Sequence, residues 1–366
     1  MHLHTATKLL YLAFLSGGDG LRVFRPSSIT IRRQVGQLGF ATETEWQYAG
    51  GKRNPLDPSQ PSRTVEASGA SVRLFEARLA DGSRSLLKEF LGAEARAIGE
   101  RELAVYRHLE EEAGGAPDLS VGTLCGRLWL IFRWVPLRTI GGFARVEQPP
   151  AGLAGLFDWG AAQARREWVR TASRESLRAL AALHAAGVAH RSLGSSSLLV
   201  STYEQREAAR LRVTLVDLGF AATPALLSAE EIAAAMRQAG CGPTGVLPLL
   251  TLYDLHGLGY VLLELVLSAL VPRPAGGGGG VRPPPELQQL KRLVEDVFSD
   301  DVARGFRDYC AEEPGWEAAV ALLDEGGGAG WDLLQSLVDC HTPAAAGSVS
   351  AQSLLDSSVW LRPGGR

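Results

Sequence analysis

Lysine is scarce in this chain of 366 residues. It stands only at Lys8, Lys52, Lys88 and Lys291, and arginine supplies the rest of the positive charge. Against that background a lysine marks a place that needed an amine rather than a guanidinium. Cysteine is scarce too. Cys125, Cys241, Cys310 and Cys340 form no CxxC pair and have no histidine pair at zinc-ligand spacing beside them, which argues against a zinc ribbon or a dithiol redox centre. Four separate reduced thiols suit an intracellular, reducing compartment, the cytoplasm or an organelle such as a plastid. Basic charge is not in excess. The formal net charge is −3, so no basic face is expected for nucleic acid. Long apolar runs are missing as well. The longest, Leu258 to Val271, contains Glu264 and reads as a buried helix rather than a membrane span.

Glycine, at 42 residues, and proline, at 19, are plentiful and predict long loops. Hydrophobic residues make up 46%, enough for a sizeable core in one large two-part domain or two small ones. Behind Lys8, the short run Leu9 to Leu15 reads either as a weak targeting sequence or as a strand or helix of an N-terminal extension. That extension covers residues 1–64 and ends in a loop rich in Pro, Ser, Gly and Asn.

Strand signals start at Val65. Ser71 to Leu79 alternates at period two, Asp81-Gly82 forms a hairpin turn, and Ser85 to Phe90 returns. Residues 93–110 are helical, with Leu103, Tyr106 and Leu109 at helical spacing. Leu124 to Val135 is strand-like. Residues 138–172 read as a loop or insert, partly helical from 151, and 174–187 as an amphipathic helix stopped by Gly187. Short strands follow at 197–202 and 211–216, then helices at 228–238 and 254–271. Gly276 to Gly280 and Pro283 to Pro285 make a linker over 276–285, and the remainder is mostly helical.

The chemistry concentrates in two stretches. One is His184-Ala-Ala-Gly-Val-Ala-His190-Arg191-Ser192-Leu-Gly194-Ser-Ser-Ser197; the other is Val216-Asp217-Leu218-Gly219-Phe220. In this order, with Lys88 upstream, they resemble the catalytic loop and metal-binding turn of the eukaryotic protein-kinase-like superfamily. The resemblance runs over nearly all of the chain from Val65 onward. It implies an α+β, bilobal protein-kinase-like fold: a five-stranded N-lobe with one long helix over 65–137, and a helical C-lobe over 173–366. Lys88 then stands where the family's phosphate-contacting strand lysine stands. Glu102 is its helix partner, with Glu94 and Glu100 as rivals. Phe132 holds the gatekeeper position, and the backbones of Arg133 and Val135 would face an adenine. Asp217 would carry a metal, and Asp254 would tie down the backbone of the catalytic loop.

The departures from the family pattern matter more. Ser192 replaces the aspartate that accepts the substrate proton, and a serine hydroxyl is no base near neutrality. Gly194 replaces the loop lysine. Ser197 replaces the asparagine that holds a second Mg²⁺. Aligning the glycine-rich loop on Ala67, Gly69 and Val72 keeps only Gly69; the alternative, Gly36-Gln37-Leu38-Gly39, requires an insertion after it. Leu86 stands where the family has a small alanine. No Ala-Pro-Glu match precedes Asp254.

The resulting expectation is a pseudokinase with a degenerate loop at His190, Arg191, Ser192 and Ser197. It would bind ATP and Mg²⁺ weakly or not at all, through Gly69, Lys88, Glu102, Arg133, Val135 and Asp217. It would act by contacts with protein partners, with no nucleic acid and no membrane span. The alternative is an active Ser/Thr-type kinase that transfers the ATP γ-phosphate with unorthodox residues.

Overall fold

The computed structural model describes residues 12–15, 22–24, 29–39, 71–113, 119–124, 127–134, 137–145, 159–271, 287–341 and 348–362. They fall into two compact units. One takes the described residues up to 134 together with Leu218–Ala221; the other takes Leu137–Asp217 and those from Ala222 onward.

In the first unit the order is β1 (Leu12–Leu15), β2 (Arg22–Phe24), β3 (Ile29–Gly39), β4 (Ser71–Leu79), β5 (Arg84–Leu91), α1 (Ala93–Ala113), β6 (Leu119–Leu124) and β7 (Arg127–Arg133). Among the described residues seven strands form one antiparallel sheet, ordered β2-β1-β6-β7-β5-β4-β3. The β4–β5 turn is as expected: Gly82 has φ +84, and the Asp81 carboxylate accepts from the Ser83 amide at 2.8 Å. Val105 and Tyr106 of α1 are buried, as are Phe90 and Leu130 of the sheet. Ala77, Leu87, Trp129 and Ile131 form a second buried cluster, against which Ile29 and Phe75 pack. Neighbouring residues of β5 and β7 are thus both buried, which is why these strands read as near-continuous apolar runs.

The sheet corrects the boundary drawn at residue 65. β3 lies inside the stretch taken as an extension, yet it pairs with β4 from Ile29↔Leu79 to Gly39↔Ser71. Its register shifts between Ile31 and Arg33 and between Gln34 and Gly36. Those irregularities break the period-two alternation by which a strand is recognised. The described sheet has seven strands, β1 to β3 before residue 65 and β4 to β7 after it, where five were expected.

The second unit begins with β8 (Arg138–Thr139), which joins β9 (Leu198–Val200) and β10 (Val213–Leu215) in a three-stranded antiparallel sheet. Between them runs α2 (Trp159–Ala185), a single helix of 27 residues where a partly helical insert and a separate helix were expected. Polar residues are accommodated inside it. Ser173 and Ser176 are buried and donate to Val169 O and Ala172 O, four residues back, and Arg170 pairs with Glu325. Then follow α3 (Ala229–Ala239), α4 (Val246–Ala269), α5 (Leu287–Arg292), α6 (Arg307–Glu312), α7 (Glu317–Leu323), α8 (Glu325–Val338) and α9 (Ala351–Ser357). Among the described residues only the segment Pro243–Ala269 is long and apolar enough to cross a membrane. Most of its apolar residues, Leu252 and those from Leu255 to Leu267 among them, are buried, as in a core helix. The 276–285 linker lies outside the described residues.

Candidate functional site

Each unit holds its own group of candidate residues. In the first, Lys88 lies on β5 with its side chain toward α1. Its Nζ donates to Glu102 Oε2 at 2.7 Å and to Oε1 at 3.1 Å. Side-chain exposure is 7% for Lys88 and 1% for Glu102. Two charges are kept so far from water only as a pair. The rivals do not compete: Glu94 is exposed, and Glu100 pairs with Arg96 on the surface of α1 at 2.7 Å. Beside this pair sits the turn Leu218–Phe220. A Cβ on Gly219 would come within 2.3 Å of Ile98 Cγ2 and 3.7 Å of Glu102 Oε2, so only glycine lets the turn lie against α1. Phe132 packs edge-on to Tyr106 of α1, with ring centroids 5.7 Å apart, and stands across from Leu86 in the sheet. The Arg133 backbone pairs in register with Ser85. Val135 and Gly69 lie outside the described residues.

Of the residues aligned with the glycine-rich loop, Ala67 and Gly69 lie outside the described residues. Val72 lies in β4, 1% exposed, paired with Leu38 and Phe90, and the alternative stretch Gly36 to Gly39 ends β3, paired with Leu74 to Ser71.

In the second unit the loop 190–197 follows α2 and is held by α4. Asp254, 2% exposed, accepts from the backbone N–H of His190 and of Arg191, each at 2.6 Å. His184 Nε2 approaches the same carboxylate at 3.0 Å. His190 Nδ1 accepts from the Ser192 amide at 3.3 Å, and its Nε2 donates to Val216 O at 2.9 Å. Those partners require a neutral ring protonated at Nε2. Burial favours the same state and holds the pKa of His190 below the ordinary imidazole value, against the charges of Asp254 and Asp217. Arg191 and Asp217 both occupy the left-handed region, at φ +65 and +64, conformations that L-residues keep only where surrounding bonds impose them.

Beyond Arg191 the side chains on this held backbone are neutral. Ser192 is exposed. Ser197 is 4% exposed, and its hydroxyl donates to Ser192 O at 3.1 Å. Gly194 has only Ser196 Oγ, at 4.0 Å, near the place of a Cβ. Two contacts lay beyond sequence reasoning. Arg191 pairs with Glu231 at 2.8 Å; nothing in a 40-residue separation announces it. The His184 contact had one signal, its place in the quoted motif ahead of His190. Among the described residues no group of three or more His, Cys, Asp or Glu side chains could hold a metal.

No protein-family model matches the chain, and no curated protein does. Among solved structures, the crystal structure of a Stt7 homolog from Micromonas algae, soaked with ATP, is similar. It shares 20% identity over 100% of this chain and 99% of that one, with a TM-score of 0.55. This likeness shows the fold, which is α+β and protein-kinase-like. Since 1364 solved chains match, the fold alone selects no substrate.

Proposed function

We propose that this chain, built on a protein-kinase-like fold, is a pseudokinase that works by binding protein partners. The carrying observation is a loop whose backbone is held while its side chains beyond Arg191 supply neither a carboxylate nor a cation. Asp254 holds the amides of His190 and Arg191, yet Ser192, Gly194 and Ser197 offer neither a carboxylate to take a hydroxyl proton nor a cation for the γ-phosphate. With positioning and charge neutralisation supplying nearly all of this catalysis, their loss removes most of the rate.

The buried Lys88–Glu102 pair favours retained nucleotide contact, since Lys88 is a buried amine kept in an arginine-rich chain. ATP is the ligand to test first, because the Micromonas protein was soaked with it. Mg²⁺ would find Asp217 as its carboxylate, so metal dependence should be weak. The free thiols of Cys241, Cys310 and Cys340 suit a reducing compartment.

Phosphate transfer from labelled ATP, to the chain itself and to generic protein substrates, tests the reading. None is expected above a control lacking Lys88. Adding Ser192→Asp, Gly194→Lys and Ser197→Asn together should produce turnover if the loop is the sole defect; the open space at Gly194 admits the new side chain. Turnover by the unmodified protein that depends on Lys88 and Asp217 would establish an active kinase instead.

A further inference from the structure

A row of charge crosses the Lys88 face of the first unit's sheet. Residues directly opposite on neighbouring strands share a face, and along one strand the faces alternate. Leu74 stands opposite Lys88, Glu76 opposite Leu86, and Arg33 of β3 opposite Glu76. Lys88 is buried, while Leu74, Glu76 and Leu86 are half-buried. A ligand whose phosphate meets the Lys88 amine has these three side chains as its neighbours on β4 and β5.

Glu76 is pinned from both sides. Arg33 Nε donates to its Oε2 at 3.0 Å, and Arg84 Nε and Nη2 donate to its Oε1 at 3.1 and 2.8 Å. The Arg84 guanidinium lies 4.6 Å over the Trp134 ring, and the Trp134 amide donates to Arg84 O at 3.0 Å. The Arg33 bond, together with that of Arg84, outweighs burial and holds the Glu76 carboxyl below the usual range. The row therefore stays ionised at neutral pH. Such a row favours a phosphate over a base. The face of a ring laid on Glu76 would strip water from charged groups and return nothing to them. Two guanidiniums to one carboxylate leave positive charge in excess, which attracts an anion.

We propose that Glu76, held by Arg33 and Arg84, is a specificity-determining residue that keeps a nucleobase off the Lys88 face, so that this face takes an oligophosphate by its charge and does not read the base. The proposal rests on the nucleotide contact at Lys88 proposed above and says which part of the ligand makes it.

The test titrates ATP, GTP and inorganic tripolyphosphate into the full chain by calorimetry, at one ionic strength, for the wild type, Glu76→Val and Glu76→Gln. Valine supplies the apolar surface that the carboxylate denies. Glutamine removes the same charge without supplying it, so it separates the two effects. Arg33 and Arg84, with side chains 69% and 45% exposed, remain solvated without their partner, and both variants should melt as folded proteins. In the wild type the three dissociation constants should agree within about threefold. The ratio of ATP to tripolyphosphate affinity should rise about tenfold in Glu76→Val, the effect of one apolar contact in a pocket, and stay level in Glu76→Gln. A wild type that prefers ATP to tripolyphosphate by about tenfold or more would overturn the proposal. So would a Glu76→Val chain without that preference, one that binds none of the three included, or an equal rise in Glu76→Gln. An ATP site that opens only in Glu76→Val would end the retained contact and leave Glu76 its role. Phosphate transfer is measured apart from these ratios and judges the pseudokinase reading alone.

Discussion

Replacing Lys88 by methionine should unfold the chain more readily than its position in a supposed ligand site suggests. Glu102 is 1% exposed, and its partner's Nζ is 2.7 Å away. With the amine gone, a carboxylate remains where water hardly reaches and must stay charged at high cost or take up a proton. Deleting one member of such a pair costs about 3–5 kcal/mol. For a domain of this size that is a fall in Tm of about 10 °C. Lys88→Met combined with Glu102→Met removes both charges and substitutes apolar groups of similar length, and should recover most of the loss. Thermal and urea melts of the four proteins in the cycle measure it. A single variant that melts within about 1 °C of wild type, or a double variant no more stable than the single, would refute the reasoning. The same numbers decide which control is sound in nucleotide assays: the double variant lacks the amine without the destabilisation.

Asp254→Ala leaves the His190 and Arg191 amides without their acceptor, at a cost of about 1–3 kcal/mol for each buried donor; urea denaturation should show a matching fall, larger than for Asp254→Asn. Gly219→Ala drives a Cβ to within 2.3 Å of Ile98 Cγ2, so it should lower Tm by several degrees, and Ile98→Ala in the same chain should restore part of it. For His190, the unfolded chain binds a proton that the buried ring refuses. Stability should therefore fall as pH drops below about 6.5, and His190→Gln should flatten that acid limb in melts taken across the range.

Local chemistry was legible in the sequence because it follows from residue type. The hairpin at Asp81-Gly82, the strand carrying Lys88, the partner Glu102 and the neutral loop Ser192 to Ser197 all stood in the chain order. The residue types of that loop, Ser192, Gly194 and Ser197, are properties of the sequence alone. Tertiary structure decided what depends on distant partners. β3 is a strand because β4 pairs with it across residues 40–70, and its irregular register hides the alternation a strand normally shows. That pairing places Val72, 1% exposed, between Leu38 and Phe90. α2 is one helix because its buried serines bond back to the turn before them and Arg170 finds Glu325 on another helix. Arg191 meets Glu231, and His256 meets Val338 O and Glu295, because packing brings them together from far along the chain. Such contacts are set by where whole elements dock, and the spacing of residues along one element carries no trace of it.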